Sequence, residues 1–273
     1  MYIIIVILAI FLILIYMRAE TTMLKESTVN FSTDPKGLKI VHLSDIHINR
    51  LYISVRKLTD RLNRISPDII VMSGDYIEVK KDIPEFIELL EKVVEICPVY
   101  MTLGNHDHKA FKYNEENTAG FIKAVEAAGA VVLLNSSIRI NKGDSSYRLI
   151  GIDDLKHGRP DIEKAFLETG PSFEDGCINI AVSHNPDMVF SLPEGKADYF
   201  LCGHFHGGQI WMPFNLEFML LRDEKLCKMG YTRGLHKING INMYINRGLG
   251  NVIFPFRFFS PPEIAVIQLP PSP

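Results

Sequence analysis

Five short apolar runs in this chain each stop at a small polar motif, and all five motifs contain Asp, Asn or His. LKIVHL at 38–43 runs into Ser44-Asp45-Ile46-His47, IIVM at 69–72 into Ser73-Gly74-Asp75, and VYMTL at 99–103 into Gly104-Asn105-His106. CINIAV at 177–182 leads to Ser183-His184, and DYFLC at 198–202 to Gly203-His204-Phe205-His206. Runs of this length, bounded by Gly, Ser and Asp, read as buried strands. A strand sends successive side chains to opposite faces, so polar residues from distant segments converge only where their strands end at a common sheet edge. The pattern therefore requires an α/β fold whose polar residues gather at strand ends. One such motif would mean little, because a single His after a strand is usually a hydrogen-bonded loop residue. Five in succession form a set of hard or borderline O and N donors, the kind that holds a pair of divalent cations.

Between these runs, apolar residues recur at helical spacing: Val55, Leu58, Leu62 and Ile65, then 86–96, then Phe121 and Val125. Residues 138–152 have another texture, two strand-like stretches around Asn141-Lys142-Gly143-Asp144, which predicts an antiparallel hairpin. Asn239-Gly240, between 236–238 and 241–245, predicts a second hairpin, with a last strand at 263–269. A hydrophobic content of 47% over 273 residues allows one large core. The expected fold class is α/β, a four-layer α-β-β-α sandwich of two mixed sheets flanked by helices, in a single catalytic domain at 38–270.

The ordered motifs Asp-x-His, Gly-Asp, Gly-Asn-His-Asp, His and Gly-His-x-His resemble those of the calcineurin-like metallophosphoesterases, and the resemblance spans about residues 38–269. Gly-His-Phe-His-Gly-Gly-Gln at 203–209, Asn-Arg-Gly-Leu-Gly at 246–250 and Pro-Pro-Glu-Ile at 261–264 look like the bacterial membrane-associated branch of YkuE- and YaeI-type phosphoesterases. The resemblance implies the same sandwich. It also implies that Asp45, His47 and His206 hold one metal, that Asn105, His184 and His204 hold the other, and that Asp75 bridges them. Two dications carry +4 and the two carboxylates return −2, which leaves a positive field for phosphate. Such a pair, about 3.5–4 Å apart, lowers the pKa of a shared water and clamps the oxygens of an in-line displacement at phosphorus. Manganese, iron and zinc all suit this mixed donor set. In similar enzymes the residue at His106 protonates or stabilises the leaving oxygen, and Asp107 is expected to orient its ring. His108 is left outside the expected site.

Residues 2–17 are uncharged and almost wholly apolar. As a helix they span about 24 Å, against about 30 Å of hydrocarbon. A basic n-region and a small-residue cleavage site are missing, so an uncleaved single-pass anchor at 1–19 is favoured over a removed signal peptide or a buried core helix. Residues 20–37 then read as a linker. Arg18 and Lys25 lean the catalytic domain toward the cytoplasm, whereas the resemblance to envelope phosphoesterases leans it outward, so the side of the membrane stays open.

A net charge of −3 with pI near 6.3 gives no electrostatic footprint for nucleic acid. The four cysteines lack metal-binding spacing, and three lie in or beside apolar runs. QIWMPFNLEFMLL at 209–221 and VIFPFRFF at 252–259 read either as packed core or as surfaces for an acyl chain or a bilayer, with Arg247 and Arg257 as candidate phosphate contacts. The expected activity is a metal-dependent phosphoesterase acting on a phosphodiester or pyrophosphate, lipid or lipid-linked nucleotides being candidate substrates. A phosphomonoester phosphatase and a non-catalytic binding module on the same fold are the alternatives.

Overall fold

The computed structural model describes residues 1–167 and 176–273. The chain opens with α1 (Tyr2–Glu20), β1 (Lys25–Asn30), β2 (Lys39–Leu43), α2 (Val55–Ile65), β3 (Ile69–Ser73), α3 (Ile83–Val94) and β4 (Val99–Thr102). Next come α4 (Asn105–Ala110), α5 (Glu115–Ala127), β5 (Val131–Val132), β6 (Ser136–Lys142), β7 (Ser145–Gly151) and α6 (Ile162–Leu167). The last third holds β8 (Ile178–Val182), β9 (Tyr199–Cys202), α7 (Leu216–Leu221), α8 (Lys225–Lys228), β10 (Gly234–Ile238), β11 (Ile241–Ile245) and β12 (Glu263–Gln268).

All five apolar runs form strands, distributed over two six-stranded sheets with orders β1-β12-β2-β3-β4-β5 and β10-β11-β9-β8-β7-β6. Both sheets are mixed: β12 runs antiparallel to β2, and the hairpins β6-β7 and β10-β11 are antiparallel, while β2-β3-β4 and β7-β8-β9 are parallel. Side-chain alternation builds the layers. Ile69 and Val71 pack with Leu149, Ile180 and Leu201 between the sheets. Ile70 and Met72 face the opposite way, onto Leu58 and Leu62 of α2 and Phe86 and Leu90 of α3. Ile150 and Ala181 of the second sheet face Phe166, Phe218 and Leu226. Burying strands on both faces is what their continuous apolar runs require. The local punctuation agrees: Ser54 caps α2 through the Lys57 amide, and Asn239 and Gly240 take the left-handed pair of the two-residue hairpin.

The N-terminal segment corrects the expected division. Residues 25–30 are not linker but β1, a parallel edge strand paired with β12 from Lys25↔Glu263 to Asn30↔Gln268. KESTVN carries no apolar run because the backbone of an edge strand is held by pairing on one side, and its side chains are largely exposed. The helix runs one residue past the expected anchor, to Glu20, and is long and apolar enough to cross a membrane. Its last turn is fixed to the domain. The Arg257 amide donates to Met17 O at 3.0 Å, the Phe259 amide to Glu20 Oε2 at 2.9 Å, and the Arg18 guanidinium lies 3.9 Å from the Tyr52 ring centroid.

Candidate metal centre

The motifs meet where the carboxyl ends of two sheets converge, rather than along one sheet edge. Asp45, His47, Asp75, Asn105 and His106 follow β2, β3 and β4 of the first sheet, and His184, His204 and His206 follow β8 and β9 of the second. Backbone bonds lock the loops together: the Asp45 amide to Gly74 O at 3.0 Å, the His47 amide to Asp75 O at 3.0 Å, and the Gly203 amide to His184 O at 3.1 Å. Two glycines make the approach possible. A Cβ on Gly104 would sit 2.2 Å from Asp75 Oδ1, and one on Gly203 would sit 1.9 Å from Ser44 Oγ and 2.3 Å from Asp45 Oδ2.

Among the described residues two fully buried groups of donors result, Asp45 with His47 and His206, and Asp75 with His184 and His204, beside a third, partly exposed one of His47, Glu78 and His106; the donor atoms of each lie within 4.8 Å of one another. His206 Nε2 is 3.1 Å from Asp45 Oδ1, and His184 Nε2 is 3.1 Å from both Asp75 Oδ2 and His204 Nδ1. The groups adjoin, since His184 Nε2 lies 3.9 Å from Asp45 Oδ1 and His47 Nε2 lies 3.7 Å from Asp75 Oδ2. All six side chains are buried. Asp45 is further held by Ser44 Oγ, at 2.6 Å, and by the His204 amide.

These residues fit a pair of divalent cations on three independent grounds. His47 Nε2, His206 Nδ1 and Asn105 Oδ1 are buried without a hydrogen-bond partner, a costly condition unless another group completes them. Asp45, His47, Asp75, His204 and His206 all have positive φ, a left-handed backbone that non-glycine residues avoid and that clusters at functional sites. Two buried carboxylates close together also demand positive charge. Burial would lower His184, yet Asp75 and Asp45 outweigh it and raise it to about 10, which shows the pull of the two carboxylates for positive charge at this point. Burial pushes Asp75 up, but His184 first, then His106 and His47, hold it well below the carboxylate range.

Beside the second motif, sequence reading missed Glu78. Its Oε2 is 2.8 Å from His106 Nδ1 and its Oε1 is 2.7 Å from His47 Nδ1. Burial lowers His106, but Glu78 and Asp75 outweigh it and raise its pKa. Asp107 therefore does not orient that ring. Its carboxylate accepts from the amides of Gly104, Asp75, Tyr76 and Ile77, at 2.8, 2.9, 2.8 and 3.3 Å, and so pins the Asp75 loop to the start of α4. His108 pairs instead with Asp153, at 2.6 Å. Glu224 was missed as well: it lies 3.1 Å from His204 Nε2 and is held by Lys156 at 2.7 Å, while Arg222 donates to His204 O at 2.9 Å. A lone acidic residue in a loop has no period by which sequence could single it out. Of the two candidate phosphate contacts, Arg257 is fully buried against backbone carbonyls, while Arg247 pairs with Glu263. Cys202 donates to Tyr244 O and belongs to neither donor group.

Comparison with known proteins gives the same family. A model of the Calcineurin-like phosphoesterase family matches residues 38–208. Two proteins of Bacillus subtilis are similar over most of their length: the uncharacterized metallophosphoesterase YkoQ, 31% identical over 86% of this chain and 84% of its own, and the uncharacterized metallophosphoesterase YkuE, 30% identical over 92% and 85%. The UDP-2,3-diacylglucosamine pyrophosphatase LpxG of Chlamydia trachomatis is 25% identical over 91% of this chain and 90% of its own. Since the matched span covers more than half the sequence and contains every donor of both groups, this chain belongs to the calcineurin-like phosphoesterase family and is a hydrolase.

Proposed function

We propose that this chain is a membrane-anchored dinuclear-metal hydrolase that cleaves a phosphodiester or pyrophosphate bond in a lipid or lipid-linked nucleotide. The observation that carries the reading is the pair of adjoining Asp-His-His groups, with Asp75 facing both His184 and His47. Asp45, His47 and His206 would hold one ion and Asn105, His184 and His204 the other, with Asp75 shared. Held by these residues, two divalent ions would supply a water of lowered pKa and charge compensation for an in-line displacement at phosphorus. The chain itself positions the remaining chemistry. Glu78 holds His106 on its Nδ1 side, which leaves Nε2 free to give a proton to the departing oxygen. Asp107 fixes the loop that presents Asp75. The lipid reading draws on the diacylated substrate in LpxG's name and on α1 as an anchor.

Two substitutions separate these roles. His106→Ala is expected to keep both metals and lower turnover by about 10²–10⁴-fold, the usual contribution of a general acid. Glu78→Gln is expected to keep the metals and cost about 10–100-fold, as loss of a partner that orients a working group does. Metal content by atomic spectroscopy, read beside turnover, checks both; loss of the ions in His106→Ala would make that residue a ligand.

The reaction class is tested with the full chain in detergent, stripped and resupplied with manganese, on bis-p-nitrophenyl phosphate and p-nitrophenyl phosphate. Metal-dependent cleavage of the diester supports the reading. Preference for the monoester would move it to a phosphatase, and failure to bind metal would move it to a binding module.

A further inference from the structure

Beside the end of α1 lies an apolar surface that none of the described residues covers. Phe214 is 88% exposed, Leu221 77% and Ile253 73%, and Met219, Leu220 and Phe254 are exposed with them. They belong to two segments that form one face. Trp211 donates its amide to Phe258 O at 2.9 Å, Phe258 to Gln209 O at 2.8 Å, and the Gln209 side chain donates to Val252 O and Phe254 O. The short helix α7 keeps Phe218 in the core but places its other large apolar residues outward. Its one charged residue, Glu217, is buried and accepts from the Met212 amide, whereas Met219, Leu220 and Leu221 point to solvent. Single exposed apolar residues are ordinary, but a joined set on a helix whose charge faces inward marks a contact surface.

Its position says what it meets. The Tyr16 ring, near the end of α1, packs at 6.0 Å from Phe258 and 6.1 Å from Phe259, and Phe259 packs at 6.0 Å from Trp211. The end of the apolar helix thus packs on the segment 252–259, which carries part of the apolar face. Cations flank it: Arg18 in the last turn of α1, Arg222 directly after α7, and Arg233, which donates to Phe259 O. Aromatic rings and cations bordering an apolar face are the composition of a membrane interface.

We propose that α7 and residues 252–259 form a second membrane contact, resting in the interface from which α1 emerges. The proposal rests on the reading of α1 as a membrane span. Because Leu221 leads into Arg222, which is bonded to His204, this contact sets the metal centre beside the lipid surface, where an amphiphilic phosphoester would enter.

Trp211 is the only tryptophan in the chain and so reports on this face alone. The full chain is reconstituted in phosphatidylcholine and phosphatidylglycerol vesicles with or without brominated acyl chains. The expected result is loss of Trp211 emission in the brominated vesicles, and its recovery in a variant carrying Phe214→Asp, Leu220→Asp and Leu221→Asp. Equal emission in the two vesicle types would overturn the contact, as would quenching unchanged in the variant. Emission that ignores bromine but changes with protein-to-lipid ratio would assign the face to a second copy instead. An alkaline wash of the same vesicles distinguishes the two failures: release of the chain overturns the anchor and the contact together, whereas a retained chain with unquenched Trp211 overturns the contact only.

Discussion

Asp75→Asn is expected to abolish metal-dependent phosphoester hydrolysis while leaving the chain folded. Asp75 Oδ1 accepts the His106 amide at 2.8 Å, so Oδ2 is the oxygen that faces His184 at 3.1 Å and His47 at 3.7 Å. Asn keeps the shape and can keep the amide bond. It removes one of the two carboxylate charges in the centre and turns an NH₂ toward the imidazoles, where an acceptor is needed. Losing a partner of a metal ligand costs roughly 10–100-fold, so losing an oxygen shared by both donor groups should cost at least about a thousandfold. Bound metal measured after gel filtration is expected to fall below two per chain. Far-ultraviolet circular dichroism should match the parent, because the backbone contacts of the loop run through Asp107 and the main chain. A variant that retained two ions and near-parental turnover would take Asp75 out of the shared position.

The strands that carry the centre were legible because they are buried on both faces, which favours apolar sequence up to the residue where the chain turns, with His42, Thr102 and Asn179 as the buried polar exceptions. IIVM ending at Ser73-Gly74-Asp75 shows this: Ile70 and Met72 meet helices, Ile69 and Val71 meet the other sheet, and no position remains for a polar residue. Nothing in a run says which sheet it joins, so the assembly of the centre from two sheets became visible only in the structure. β1 was hidden for the converse reason. An edge strand is specified by its pairing with β12, and KESTVN presents no face that must be apolar.

Among the site residues, types were easier to read than partners. Asn105, His106 and Asp107 are consecutive at the start of α4, and neighbours on a helix point about 100° apart, so adjacency in sequence argues against mutual contact. Asp107 stands at the third helical position, where a carboxylate turns back to amides, as its bonds to Gly104 and Asp75 show. Glu78 reaches His47 and His106 only because the chain doubles back after Asp75. Apolar composition was equally ambiguous in 209–221: Phe218 joins the core while Phe214, four residues earlier, is almost wholly exposed.

Arg257→Met is expected to produce the largest loss of stability. The residue was read from sequence as a candidate phosphate contact, yet its guanidinium is fully buried. Nη1 donates to Arg247 O at 3.1 Å and Ser260 O at 2.7 Å, and Nη2 to Gly248 O at 3.2 Å and Gly250 O at 2.5 Å. Burial pulls its pKa down to about 10, so it remains a cation at neutral pH. Three of those four carbonyls, all but that of Ser260, belong to the loop whose Leu249 and Gly250 amides hold Ser44 O and Asp45 O, directly behind the first donor group. Met fills most of the volume but donates nothing, and each buried carbonyl left without a donor costs about 1–3 kcal/mol, so the four together cost at least about 3–5 kcal/mol. For a chain of this size each kcal/mol lowers Tm by about 2–4 °C, which gives a drop near 10 °C in thermal melting. Arg257→Lys should recover only part of it, since one ammonium has three donors and cannot span both sides of the loop as the planar fork does. Metal affinity should fall with the melting temperature, because loosening residues 247–250 releases Asp45 from its backbone support. A melting temperature unchanged within about 2 °C, at a ΔΔG below about 1 kcal/mol, would mean that water replaces the guanidinium and that the loop holds its shape without it.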